Sequence, residues 1–182
     1  NVASRGEDAN YSASEGSRLV AFNAGQTPPN GVVVQTFSTT PSSTYTLTFD
    51  VGALSFVNQN PQSMQVEVIG NTSLLSTVVT VNAPGNGSSY SPRDFTFASD
   101  SSSAVLRFTD VSSVTENIDL LLDNVTITGS PAPAIQTHPQ SVTANIGGSA
   151  TFTVVATGAG LSYQWREGTA LIRGATSRSY RI

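Results

Sequence analysis

From Ser43 to Val51 the chain reads S-T-Y-T-L-T-F-D-V, with Tyr45, Leu47, Phe49 and Val51 at alternate positions and Thr44, Thr46, Thr48 and Asp50 between them. Side chains of a strand point to opposite faces with a period of two, so this segment is predicted to be a half-buried strand. The same period recurs at Met64, Val66 and Val68 around Gln65 and Glu67, at Phe95 and Phe97, and at Leu106 and Phe108 around Arg107. Turn chemistry separates the runs: Asn30-Gly31, Pro41-Ser42, Gly70-Asn71, Pro84-Gly85-Asn86-Gly87 and Asp100 to Ser103. Short alternating runs at this spacing, with no stretch of helical period, predict an all-β chain in which antiparallel sheets stack as a β-sandwich. Helix content should be close to nil.

Near Ile118 the parity breaks. Ile118, Leu120 and Leu122 are even-numbered, whereas Val125 and Ile127 are odd. A β-bulge at Asp123-Asn124 would return both apolar sets to the core; a strand end followed by an edge strand satisfies the same pattern. Gly129-Ser130-Pro131-Ala132-Pro133 then interrupts the alternation, and prolines supply no sheet donors, so this stretch is expected to be a semi-rigid linker. The division expected is 1–128, a linker at 129–133, and a second domain at 134–182. In the second domain Ala150, Phe152, Val154 and Ala156 should face inward, followed by Leu161, Tyr163 and Trp165.

Composition narrows the function classes. The 182 residues are 38% hydrophobic and only 11% charged, which is the balance of a folding chain. Every basic residue is arginine, and the net charge of -4 leaves no footprint for nucleic acid or anionic lipid. Cysteine is absent, which removes disulfides, thiolate zinc sites and cysteine nucleophiles. No apolar run approaches the ~18 residues needed to cross a bilayer as a helix, so membrane insertion is not expected. Asn1 in place of an initiator Met is compatible with a removed signal peptide or an excerpted chain.

The stretch H-P-Q-S-V-T-A-N-I-G-G-S-A-T-F-T-V-V-A-T-G (His138 to Gly158), with L-S-Y-Q-W-R-E-G from Leu161, resembles bacterial immunoglobulin-like domains. The resemblance implies a Trp165 packed between two sheets. It also implies two further strands beyond Ile182, so residues 134–182 read as a partial domain. The first segment resembles the galactose-binding-like jelly rolls of carbohydrate-binding modules. The residues that carry this are Val32 to Val51, R-D-F-T-F-A from Arg93, A-V-L-R-F-T-D from Ala104, and L-D-N-V-T-I from Leu122. This resemblance implies a glycan partner, an extracellular or cell-surface setting, and a structural calcium held in part by Asp123, with Glu7, Asp8 and Glu15 as further donors. Such modules open with a strand that is not recognisable before Asn10. Sheets short of strands suggest a different role as well, a structural or filament-forming surface protein completed by strands of neighbouring subunits.

Catalytic chemistry finds little support. There is no G-x-S-x-G elbow, H-E-x-x-H, Walker loop or dinucleotide fingerprint, and the single histidine, His138, precedes Pro139 at the start of the second segment. Asp119 and Asp123 lie four apart, about 13 Å along a strand, too far for a glycosidase pair. They read as solvated acids, and the chain as a non-enzyme. The outward positions Thr44, Thr46, Thr48, Gln65, Glu67 and Arg107 include no aromatic, so a flat platform for crystalline polysaccharide is not expected. Aromatics in polar, loop-like context are Tyr90 close to Asn86 and Arg93, and then Tyr11 and Phe56. Tyr90 with Asn86 and Arg93 is the first candidate for a loop-edge sugar site, and Tyr11 or Phe56 the second.

Overall fold

The computed structural model describes residues 11–23, 29–130, 132–158 and 160–182, and the backbone of 2–6. The chain divides into two compact units, Asn1–Gly129 and Ser130–Ile182. Among the described residues there is no helix. The first unit is built from β1 (Val2–Gly6), β2 (Arg18–Phe22), β3 (Val32–Ser38), β4 (Thr44–Ser55), β5 (Pro61–Ile69), β6 (Ser73–Asn82), β7 (Gly87–Ala98), β8 (Ser103–Asp110) and β9 (Asp119–Ser130). One sheet runs β1-β2-β9-β4-β7 and the other β3-β8-β5-β6.

The alternation read from the sequence is the alternation that packs. Leu47, Phe49 and Val51 of β4, Met64, Val66 and Val68 of β5, Leu106 and Phe108 of β8, and Leu120 and Leu122 of β9 are all buried in one cluster between the sheets. Phe49 sits at its centre, edge-on to Phe108 with ring centroids 5.2 Å apart and stacked on Phe95 at 6.1 Å. Each such ring contributes about 1.5–3 kcal/mol by leaving water. The outer faces are polar. Arg107 meets Glu67 across β8 and β5 at 3.5 Å, an exposed pair that contributes about 0–1 kcal/mol.

Turns fall where Asn, Ser and Gly permit them, with left-handed backbone at Asn30, Ser42 and Gly85. The β5–β6 turn is pinned from outside by Asp100. Its carboxylate accepts the Asn71 N–H at 2.9 Å, and the Thr72 N–H and hydroxyl at 2.8 and 2.7 Å. Gly70 allows this approach, since a Cβ there would lie 2.2 Å from Asp100 Oδ1. The hydrogen bond from the Thr72 hydroxyl, followed by those from the Asn71 and Thr72 amides, holds the Asp100 carboxyl below its usual range against some desolvation. A carboxyl with a depressed folded pKa stabilises the fold above its unfolded value, near 4, and that contribution is lost as the pH falls through the folded value. Thermal melts between about pH 2 and 5 should therefore show a shallower acid limb for Asp100→Asn than for the parent. Superimposable limbs would remove Asp100 from acid unfolding.

Four expectations are corrected here. A strand does precede Asn10: β1 pairs antiparallel with β2, Val2 opposite Phe22 and Gly6 opposite Arg18. It escapes notice because V-A-S-R-G lacks alternating large apolar residues. At the parity break Asn124 takes φ 50°, inside a continuous β9. Ile127 regains the core while Val125 stays 40% exposed, so only one of the two odd-numbered residues returns. The same strand runs through Gly129 to Ser130, two residues into the stretch expected to be linker.

The fourth correction concerns Trp165. The second unit holds β10 (Ala134–Thr137) paired with β12 (Val155–Thr157), β11 (Thr151–Thr153) with β15 (Ser179–Arg181), and β13 (Arg166–Glu167) with β14 (Ala170–Leu171). Ala150, Phe152, Val154, Ala156, Leu161, Tyr163 and Trp165 are less exposed than the residues between them, as their spacing implies. Trp165 leans on Phe152 and Tyr180 at 6.4 and 6.1 Å, and its indole N–H donates to the Ser177 carbonyl at 2.9 Å. It nevertheless remains half-buried. The described part of this unit forms three two-stranded sheets, too little to close over an indole from both sides.

Candidate functional site

The outer face of the five-stranded sheet carries a second apolar patch: Leu19 and Ala21 of β2, Leu121 of β9 and Leu54 of β4, all buried. They are buried because residues 11–15 cross over them as a strap, with Tyr11 and Ala13 packed on the patch. Polar ties fasten the strap along its length. The Tyr11 hydroxyl donates to Asp119 Oδ2 at 2.6 Å, and the Tyr90 hydroxyl donates to the Ser12 carbonyl at 2.9 Å. The Ser14 and Glu15 amides donate to Asp123 Oδ2 at 2.8 and 3.1 Å, and the Ser14 hydroxyl lies 2.8 Å from Asp50 Oδ2 and 3.1 Å from Asp123 Oδ2. Asp119 and Asp123, read from the sequence as solvated acids, are the two anchors on β9.

Where the strap reaches Asp119, a cleft of about 520 Å³ opens between Tyr11, Leu54, Phe56, Val57, Asn117 and Asp119. Its rim comes from two loops at one end of the sandwich. The Ser55 hydroxyl donates to the Asn58 carbonyl at 2.5 Å, turning the chain so that Phe56 and Val57 are left 57% and 80% exposed. Asn58 Nδ2 donates to the Glu116 carbonyl at 2.7 Å, tying this loop to the one that carries Asn117. The fully buried Gln62 donates to the Val114 carbonyl at 2.7 Å and fixes the same second loop from below. The cleft therefore has apolar walls, an exposed ring, an amide and a carboxylate, on a framework held by the sandwich.

The five sequence candidates separate. Tyr11 and Phe56 come together in this cleft. Tyr90 packs on the outer apolar patch, its ring against Gly52, where a Cβ would lie 2.7 Å from Tyr90 Cδ1. Arg93 is three residues further along β7 and reaches the other way, to the Ser91 hydroxyl at 2.5 Å, the Pro92 carbonyl at 2.9 Å and the Thr80 carbonyl of β6 at 3.4 Å. Both border a shallow groove of about 240 Å³ between the β6 and β7 edges, but Asn86 is not among its lining residues. The cleft residues Asn117, Val57 and Asp119 carry no local signal; Tyr11 and Asp119 meet across 108 positions of sequence.

Asp123 does not fit a calcium site in the described residues. Calcium takes six to eight oxygen ligands, whereas this carboxylate faces hydrogen-bond donors: the Asn124 amide at 2.8 Å on Oδ1, and the Ser14 and Glu15 amides on Oδ2. N–H groups aimed at the same oxygens would repel a cation. Glu15 contributes its amide to this arrangement, and Glu7 and Asp8 lie outside the described residues. No group of three or more metal-ligating side chains occurs among the described residues.

The chain is similar in fold to several solved structures. A family 35 carbohydrate-binding module from Clostridium thermocellum superposes with a TM-score of 0.48 at 16% identity, covering 70% of this chain and 89% of that one. A family 4 carbohydrate-binding module gives 0.46 at 17% identity, over 69% of this chain and 77% of that one. An arabinose-bound α-L-arabinofuranosidase gives 0.46 at 12% identity, over 71% of this chain and 22% of that one. No protein-family model matches the chain, and no curated protein does. At these identities the likeness is one of fold.

Proposed function

We propose that the first unit is a non-catalytic carbohydrate-binding module that acts outside the cell and takes a glycan chain or chain end in the cleft at the loop end of the sandwich. One observation carries this reading: an exposed ring, Phe56, and a second ring, Tyr11, share a cleft with Asn117 and Asp119. A pyranose needs that combination, an apolar surface for its C–H face and planar polar groups for its hydroxyls. Hydroxyl hydrogen bonds largely replace those made with water and return about 0.5–1.5 kcal/mol each, so affinities should be micromolar to millimolar.

The test is titration of wall polysaccharides and their oligosaccharides, followed by chemical-shift mapping. Phe56→Ala should weaken binding about tenfold, since losing one stacked ring removes about 1–1.5 kcal/mol. The melting temperature should hardly move, because the ring is already more than half exposed. Equal binding by Phe56→Ala, or no response to any glycan, would overturn the assignment. One observation favours a second reading: Trp165, Phe152 and Tyr180 border an open apolar groove of about 340 Å³ in the second unit. Strands of neighbouring subunits would cover it in a structural or filament-forming surface protein. Material that ignores every glycan in the same titrations but sediments as a polymer would support that reading.

A further inference from the structure

Two polar side chains continue the inward-facing rows of β5 and β8 into the loop end of the sandwich. Asp110 closes β8, Gln62 lies near the start of β5, and both are fully buried. Asp110 is opposite Met64 across the β5–β8 pairing, and Gln62 is two residues from Met64 on the same face. Diagonal neighbours of this kind stand about 7–8 Å apart, within reach of long side chains. Hydrogen bonds on the other atom of each group fix its orientation. The Ser112 amide donates to Asp110 Oδ1 at 2.9 Å, and Gln62 Nε2 donates to the Pro61 and Val114 carbonyls at 3.0 and 2.7 Å. Turning the Gln62 amide over would set its oxygen against those two carbonyls. What remains is Asp110 Oδ2 and Gln62 Oε1, two buried acceptors without a hydrogen-bond partner. Asn23 follows Phe22 at the end of β2, where Phe22 pairs with Leu120 near the start of β9. It too is fully buried, with Oδ1 and Nδ2 unpartnered.

We infer that Asp110 Oδ2 and Gln62 Oε1 hold a monovalent cation, sodium or potassium, inside the sandwich. A buried carboxylate needs a counter-charge as well as hydrogen bonds, and one amide N–H on Oδ1 supplies only the second. A water donating to both oxygens would satisfy them and leave the charge. An ion held by one carboxylate oxygen and one amide oxygen meets both needs, and Asn23 brings a further oxygen of the same hard kind to this end. The ligands set the charge of the ion. One carboxylate balances a single positive charge, whereas calcium takes six to eight oxygens and is tuned by the number of charged ligands. No group of three or more acidic, histidine or cysteine side chains occurs among the described residues. The loop beyond Asp110 is the one that carries Asn117 to the cleft, so the ion would fasten it from inside.

Protein exchanged into tetramethylammonium chloride should gain stability as sodium or potassium chloride replaces that salt at constant ionic strength. At about ten times its dissociation constant the ion shifts the unfolding constant about tenfold, a rise in melting temperature of about 5 °C. The Ser112 amide resonance should move with the same midpoint, and the more effective of the two ions identifies the occupant. Asp110→Asn keeps an acceptor for the Ser112 amide and can turn an N–H toward Gln62 Oε1, so it should fold and melt independently of the cation. A parent melt indifferent to the cation, with the Ser112 amide unmoved, would leave the two oxygens to a water or a shared proton and overturn the inference. A dependence equally present in Asp110→Asn would overturn it too, by placing the ion elsewhere. Micromolar calcium raising the parent's melt, with a chelator reversing the rise, would put a divalent ion in place of the monovalent one and overturn the assignment.

Discussion

Phe49→Ala should lower the stability of the first unit by about 3–5 kcal/mol, among the largest effects available to a single truncation. The ring is 1% exposed and touches both sheets through Phe95 and Phe108. Its removal forfeits transfer from water and leaves a void that rigid neighbouring strands close only in part. In a unit of this size a loss of that order moves the melting temperature by about 10 °C or more. Chemical denaturation should show the midpoint falling with an unchanged slope. A midpoint shifted by less than the equivalent of about 1 kcal/mol would mean that the two sheets are not packed through this ring.

Asp123→Ala should cost about 1–3 kcal/mol and, unlike Phe49→Ala, act chiefly on one surface. Three backbone amides lose their acceptor, the Ser14 hydroxyl is left with Asp50 alone, and the strap over Leu54 and Leu121 loses its second anchor on β9. Because Tyr11 is both strap and cleft wall, glycan affinity should fall together with the melting temperature. The parent should melt at the same temperature with and without a chelator, since the carboxylate is filled by N–H and O–H donors. A chelator that lowers the parent's melt but not that of Asp123→Ala would replace the hydrogen-bonded anchor with an ion, because a ligand bound only to the native state stabilises it by mass action.

The sandwich core was readable from period-two alternation because burial on one face of a strand leaves a mark at every second residue. Leu47, Phe49 and Val51 show it, and so do Met64, Val66 and Val68. The break at Asn124 was readable for the same reason, as a change of parity, although the sequence left open whether β9 continued through it. β1 was not readable: it is held by backbone pairing to β2, which any sequence can supply. The cleft was half readable. Phe56 and Tyr11 stood out as aromatics in polar surroundings, but nothing near Tyr11 announces that it will lie across a sheet and bond to Asp119. Tyr90 stood out equally, yet its ring is spent covering Gly52, a pairing set by β4–β7 register rather than by its own neighbours.

In the proposed glycan site the strap divides the labour of recognition between two kinds of chain. The floor and loops of the cleft belong to the sandwich and share its cooperativity, whereas the Tyr11 wall belongs to five residues laid on the outside of a sheet and fastened mainly by side-chain acceptors. Substitutions at 11–13 can therefore alter the width and chemistry of the opening while the core stays as it is. Under the proposed glycan reading, specificity is set on a surface strap whose changes act on the outer apolar patch rather than on the cluster between the sheets.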